Sequence, residues 1–499
     1  MKILLRHVWF APALLGLCLP VSSVARAAAQ SQAQTEPLAR QYQAAADKLI
    51  SSSLLDNTGY VDLEYLCDHI GKRISGSEPL ARAITWGAAR MQAEGLSNVH
   101  TQAATVPHWV RGNEWGAITA PVEKPLHLLG LGMSVATPPE GITAQVVVVP
   151  DFATLDQVGR AGVQGKIVVF NAPYVSYGRT VMYRVNGPSR AAALGAVGVL
   201  VRSITPLAAQ LPHTGELEYD ASQPKIPAAA ISIEDATVLA RLQAQGNPVT
   251  VHFAMQAHLD DPVVMANVIG EIPGTEHPEQ VVVLGGHIDS WDVGQGAQDD
   301  GSGIMATLAA VRIIRQSGLK PKRTIRLVFW VNEENGAAGG DAYFHALSPA
   351  ELKNHVAAIE MDGGAEQPVG WGYGASAAPF HARPGQPATV APPELSAGEK
   401  HSLEMLNDIA TLLKPIGADT IRQGGGGTDI DPLTKAGVPG LGELTTAAHY
   451  FDWHHTEADT FDKIDLKEFR KNTASMAVMT YILADMPETL TGHVGAGED

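Results

Sequence analysis

Two acidic stretches of the chain carry the residue types of a hydrolytic metal site: HIDSWDVGQGAQDDGSG from His287 to Gly303, and NEEN from Asn332 to Asn335. Glu360, Met361 and Asp362 form a third group, and WHHTEAD from Trp453 to Asp459 a fourth. Imidazole and carboxylate without a nearby thiol suit zinc, with cobalt and manganese as weaker options. Hydrolysing an amide near neutral pH requires a Lewis acid on the carbonyl, an activated water and a base for that water's proton. Two metal ions sharing one carboxylate supply the first two requirements. The chemistry assigns that bridge to Asp299, with His287 and Asp362 completing one ion and Glu334 and His455 the other. Glu333 is then left to face the water as general base and later general acid, because neighbouring side chains at a strand end point in different directions. Asp289, two residues beyond His287, is expected to accept the imidazole's second N–H and fix its tautomer.

Elements must hold these groups together. Val281 to Leu284 and Ile325 to Val331 are apolar runs too continuous to alternate, as in strands buried on both faces of a mostly parallel sheet. A third run, Val356 to Ile359, leads into Glu360 and Asp362. Each predicted strand therefore releases a histidine or carboxylate at its carboxyl end, where open α/β sheets collect ligands. The expected fold class is α/β: a mixed, mostly parallel sheet with helices on both faces.

The order His-x-Asp, Asp-Asp-Gly-x-Gly, Glu-Glu, Asp, His resembles that of the co-catalytic zinc exopeptidases. IGKRISGS at Ile70, PHWVRG at Pro107, LGLGMSVATPPEGITAQVVVV at Leu129 and WDVGQGA at Trp291 extend the resemblance over nearly all of the chain, to the carboxypeptidase Q-like family. The resemblance implies a zinc exopeptidase fold with two Zn2+ per chain, Asp299 as bridge and Glu333 as base. It also implies a small peptide substrate, dipeptidase or carboxypeptidase action rather than general aminopeptidase action, and a homodimer. Glutaminyl cyclases and metal-free receptor-like proteins share the fold; the complete set His287, Asp299, Glu334, Asp362 and His455 argues against both. In small single-domain relatives a Tyr precedes the last His ligand and helps stabilise the oxyanion. Here His454 stands in that place and is a candidate for the same contact.

Several of these residues have plainer readings. His454 competes with His455 as ligand, and Asp299 and Asp300 both suit the N-terminus of the helix expected near Gly301, with Asp300 partly in that role. Glu333 and Glu334 could form a solvated turn, although such a turn does not normally follow VFWV. Gly424 to Gly427, with Thr428 and Asp429, resembles a substrate-bordering loop of the family, and an Asp429 facing the cleft would suit a substrate α-ammonium.

The 499 residues exceed one ordinary domain, and a net charge of −17 argues against nucleic-acid binding. Lys2, Arg6, the apolar stretch Val8 to Val24 and the alanines from Ala25 to Ala29 predict a secretory signal peptide over 1–29, with no stable membrane anchor after cleavage. Its removal leaves Cys67 as the single cysteine, and no Asn-x-Ser/Thr acceptor occurs, which favours a periplasmic or secreted enzyme. Residues 30–122 are expected to open the peptidase domain, with helical periodicity in Leu38 to Leu55 and Leu80 to Leu96. Residues 123–260 read as an inserted, β-rich, protease-associated-like lid, on the short runs AQVVVV, GKIVVF and GVLVRS with helix-like stretches between. Residues 261–490 complete the peptidase domain, NVIGEIPG at Asn267 being its expected first strand, and 491–499 form a tail.

Overall fold

The computed structural model describes residues 36–374 and 394–492. The expected signal segment and nearly all of the expected tail lie outside them. Among the described residues no helix is long and apolar enough to cross a membrane.

The first of two eight-stranded sheets comprises β1 (Ser97–Val110), β2 (His258–Ile272), β3 (His277–His287), β4 (Arg323–Trp330), β5 (His355–Glu360), β6 (Pro368–Tyr373), β7 (Thr420–Gln423) and β8 (Gly440–Thr445), in the order β1-β2-β4-β3-β5-β8-β6-β7. The central run β4-β3-β5-β8 is parallel, whereas β1/β2, β2/β4 and β6/β8 pair antiparallel. The segment containing Asn267 is thus the second strand, because Ser97–Val110 adds an edge strand before it.

Side-chain alternation explains why the central runs are apolar throughout. Val282 and Leu284 of β3 join one buried cluster with Ile325, Leu327 and Phe329 of β4, while Val281 and Val283 join another with Val328 and Trp330. Helices α1 (Leu38–Leu55), α2 (Glu78–Ala93), α3 (Ser302–Gln316) and α4 (Leu466–Asp485) supply many of the first cluster's other members. The periodicity at Leu38 to Leu55 matches α1, and α2 begins where Ser77 accepts from the Leu80 N–H. Cys67 is packed in the same core, and burial pushes its thiol up to about 12, so it is inert at neutral pH.

The second sheet takes its strands from 114–255, beginning with Glu114–Ala120 and ending with Thr250–Met255. Four of its strands, Ile142–Val149, Ile167–Phe170, Gly198–Arg202 and Ala228–Ile231, run parallel, and helices such as Phe152–Val163 and Ile233–Ala244 fall between or beside them. The insert is β-rich and also helical. β1 and β2 lead into and out of it, so it is anchored through a paired ribbon.

Glu443 in β8 is buried opposite Trp371 of β6. Burial pushes its carboxyl up to about 8, offset only in part by Ser475. A folded-state pKa above the unfolded value contributes stability that is complete below about pH 4.5 and is lost as pH rises through about 8. Glu443→Gln is therefore expected to unfold at a higher temperature than the parent at pH 8, by the equivalent of about 2–4 kcal/mol. The difference should vanish at pH 4, and parallel melting curves across that range would contradict the assignment.

Candidate metal centre

The carboxyl ends of β3, β4 and β5 converge, and the loop after β8 closes over them. His287 is the last residue of β3, paired in register with Trp330 of β4, so the Glu333–Glu334 turn starts beside it. At Asn332 the chain takes a left-handed turn (φ 70°), unusual for a residue with a side chain. Asn332 Nδ2 donates to Ser75 Oγ (3.0 Å) and Asn335 Oδ1 (2.7 Å), while its Oδ1 accepts from the Ala338 N–H.

Asp299 lies at the centre. Its Oδ1 is 3.2 Å from His287 Nε2, and its Oδ2 is 3.2 Å from His455 Nε2. His287 Nε2 is also 3.6 Å from Asp362 Oδ1, and His455 Nε2 is 3.1 Å from Glu334 Oε2. His287 Nε2, Asp299 Oδ2 and Asp362 Oδ1 are shielded from solvent yet have no hydrogen-bond partner among the described residues. Buried polar atoms normally find partners, so converging unpaired nitrogen and oxygen atoms fit a cation between them. The donor set, imidazole and carboxylate without thiolate, fits zinc.

The electrostatics agree with that fit. Burial, followed by the charge of Asp299, pushes Glu334 up to about 8. Burial pushes Asp362 up to about 7, with Asp299 and Glu333 adding to it and His287 opposing. Burial disfavours charge on His287, but contacts with Asp299 and Asp362 outweigh it and hold the imidazole well above its ordinary value. So many carboxylates in one dry volume favour positive charge among them.

Two competitors are separated by their contacts. Asp300 lies close enough to His287 and Asp362 to complete a ligand group. However, its Oδ2 accepts from the His287 main-chain N–H and its Oδ1 from the Gly303 N–H, both at 3.1 Å. It thereby ties the strand end to the start of α3. A Cβ at position 303 would fall 2.2 Å from Asp300 Oδ1, so the glycine is required by the close approach. His454 also forms a group with Asp299 and His455 that could hold an ion; its Nε2 lies 3.5 Å from Asp299 Oδ2, and its ring stacks on His455 at 3.5 Å between centroids. His455 approaches both Asp299 and Glu334.

Asp289 does not use its carboxylate on His287 as expected. His287 Nδ1 lies 3.1 Å from Asp289's main-chain carbonyl and 3.8 Å from Oδ1. The carboxylate accepts instead from the N–H groups of Glu333 (3.1 Å) and Glu334 (3.3 Å) and from Ser75 Oγ (3.3 Å). It holds the turn that carries the candidate base. The Glu333 carboxylate itself has no hydrogen bond or ion pair among the described residues. Asp429 is buried with both oxygens shielded from solvent, so it does not meet the condition of facing an open cleft.

Other supporting residues went unassigned in the sequence. Asp459 accepts from the N–H groups of Gln298 (2.7 Å) and Asp299 (3.2 Å), fixing the bridge from behind. Arg73, fully buried, donates to the carbonyls of Gly71, Ile288, Gln295 and Gly296 and braces the 288–296 loop. Its position within the IGKRISGS motif was the only signal available.

An α/β sheet with this imidazole and carboxylate cluster at its carboxyl edge fits a metal-dependent hydrolase, and comparison with known proteins makes the assignment specific. The family model described as Peptidase family M28 matches residues 267–480. Carboxypeptidase Q of Bos taurus and of Homo sapiens are each 38% identical over 434 residues, covering 87% of this chain and 87% of theirs. A solved Peptidase M28 precursor from Shewanella amazonensis SB2B superposes with a TM-score of 0.82 at 30% identity, covering 90% of this chain and 98% of that one. The Bacillus subtilis zinc aminopeptidase shares the fold, with a TM-score of 0.62 at 19% identity over 86% of this chain and 95% of that one. The chain belongs to peptidase family M28, as a carboxypeptidase Q-like zinc metallopeptidase of exopeptidase type.

Proposed function

We propose that the enzyme hydrolyses dipeptides or short peptides with free termini at a two-zinc centre in which Asp299 would supply a ligand to each ion. The observation that carries this reading is the placement of the two Asp299 oxygens, each 3.2 Å from a different histidine. His287 and Asp362 would complete one ion, and His455 and Glu334 the other. Bound zinc would supply a polarised carbonyl and a water acidic enough to be deprotonated near neutral pH. Glu333, with no competing partner, takes the proton of the attacking water and delivers it to the leaving amine. Asp289 keeps Glu333 in place through the main chain. Burial holds His454 neutral, well below its ordinary pKa, and its ring beside Asp299 suits a donor to the developing oxyanion.

The insert supports a preference for short substrates by covering one side of the site. Its Glu216 forms a bridge with Gly132, the adjacent Met133 Sδ lies 3.8 Å from Asn335 Nδ2, and the charge of Glu333 acts on Glu216, which supports a position for Glu216 near the Glu333–Glu334 turn. Its carboxylate is half-buried, with no hydrogen bond or ion pair among the described residues. Burial, then Glu218 and Glu333, push it up to about 7, so a cation would be welcome beside it. A substrate α-ammonium supplies one. Glu216→Gln should raise KM for free dipeptides about 10- to 100-fold, as expected for losing a charge-assisted hydrogen bond, with little change in kcat. The assay uses free, N-blocked and C-blocked dipeptides. Equal wild-type turnover of N-blocked substrates would contradict the free-terminus reading, processive trimming of long peptides would favour a general aminopeptidase, and an unchanged KM in Glu216→Gln would remove Glu216 from the account.

The basic and apolar pattern of residues 2–29 supports a secretory signal and a periplasmic or secreted location. A homodimer rests on the family resemblance alone.

A further inference from the structure

His455 is held in an unfavourable backbone conformation, φ 60°, and the main-chain contacts that hold it come from the inserted domain. The Thr214 N–H donates to the His455 carbonyl at 3.0 Å, and the Thr214 carbonyl lies 3.3 Å from His455 Nδ1. Thr214 therefore fixes both the backbone and the ring of the histidine whose Nε2 approaches Asp299 and Glu334.

Thr214 is fixed in turn by a buried guanidinium. Arg184, 3% exposed, donates from Nη1 to the same Thr214 carbonyl (3.1 Å), from Nε to the Glu216 carbonyl (3.1 Å) and from Nη2 to Tyr177 Oη (2.9 Å). It makes no ion pair among the described residues, so its fork is committed to the 214–216 backbone and the Tyr177 ring. Gly215 lies flat against it at φ 131°, and a Cβ there would fall 2.3 Å from the guanidinium carbon. The threonine side chain adds a second tie. Its Oγ1 donates to the Gly130 carbonyl (2.8 Å) and accepts from Arg111 Nη2 (3.3 Å), and Arg111 grips both oxygens of Asp292 in the loop after β3 (2.7 and 2.6 Å). A lid that only shaded the cleft would not need a main-chain group seated on a ligand's Nδ1.

We infer that the inserted domain is a built part of the metal centre, with Arg184 acting through Thr214 as a positioning residue for the subsite formed by His455, Glu334 and Asp299. Hydrogen-bond partners of ligating histidines set ring orientation and basicity, and their loss typically lowers metal affinity 10- to 100-fold. The inference rests on the two-metal reading above, and its test separates the two.

The full-length enzyme is stripped of metal and titrated with Zn2+ for affinity and with Co2+ for the absorption of each subsite. Wild type is expected to take up two ions per chain. Arg184→Met should keep one affinity unchanged and weaken the other about 10- to 100-fold, the lost cobalt absorption matching that lost in His455→Ala. Arg184→Lys, which retains the charge but not the fork, should fall between. A metal-free Arg184→Met that melts like metal-free wild type and binds both ions with unchanged affinity would overturn the inference. If Arg184→Met does not fold, Arg184→Lys decides it the same way: one weakened site supports the inference, and two unchanged sites overturn it. Uptake of a single ion by wild type would contradict the two-metal reading itself.

Discussion

Glu333→Gln is expected to lose about 10²–10⁴ in kcat while binding metal as the parent does. The substitution replaces a proton acceptor with an amide of nearly the same shape. Glu333 belongs to neither half of the Asp299-centred cluster, and its main-chain N–H contact with Asp289 is retained in the variant. Metal content and melting temperature should therefore stay near wild-type values while turnover collapses. Parallel measurement of metal content and kcat checks this, and a variant that retains turnover would show that another group accepts the proton.

Asp299→Ala is expected to have an effect of a different kind. Asp299 is the residue common to both halves of the cluster, so its removal strips one ligand from each. Affinity for both ions should fall by more than about 100-fold, beyond the loss expected for an outer partner, and activity should disappear with it. The truncation also leaves His287 and His455 without the carboxylate that lies between them. Metal titration checks the outcome. Loss of one ion with retention of the other would show that Asp299 serves a single ion.

Much of this arrangement is legible in the sequence because of how parallel sheets work. Val281–Leu284 and Ile325–Val331 are apolar on both faces, and that continuity marks them as buried central strands. Groups that follow such strands must meet at one edge of the sheet, so His287, Glu333, Glu334 and Asp362 could be brought together without a structure. The choice between Asp299 and Asp300 was harder, since both suit a helix start. The main-chain contacts of Asp300 to His287 and Gly303 separate them.

The supporting groups are less legible because their partners are distant in sequence. Arg73 meets a loop more than 200 positions away, and Thr214 meets His455 at a separation of 241. Local periodicity carries no information about such pairings. Asp289 illustrates a second limit. Its spacing from His287 suggests a contact between side chains, but a chain turning sharply after β3 presents its carbonyl first and leaves the carboxylate for the Glu333–Glu334 N–H groups. The insert's helices were only partly legible, because its strands are short and their apolar runs dominate the pattern.

The most direct test of a centre bridged by Asp299 is a count of zinc per chain during reconstitution of the metal-free enzyme, with dipeptide hydrolysis followed in parallel. Two zinc ions per chain at saturation, with full activity reached only as the second is bound, is the predicted result. Saturation and full activity at one zinc per chain would contradict the bridged pair.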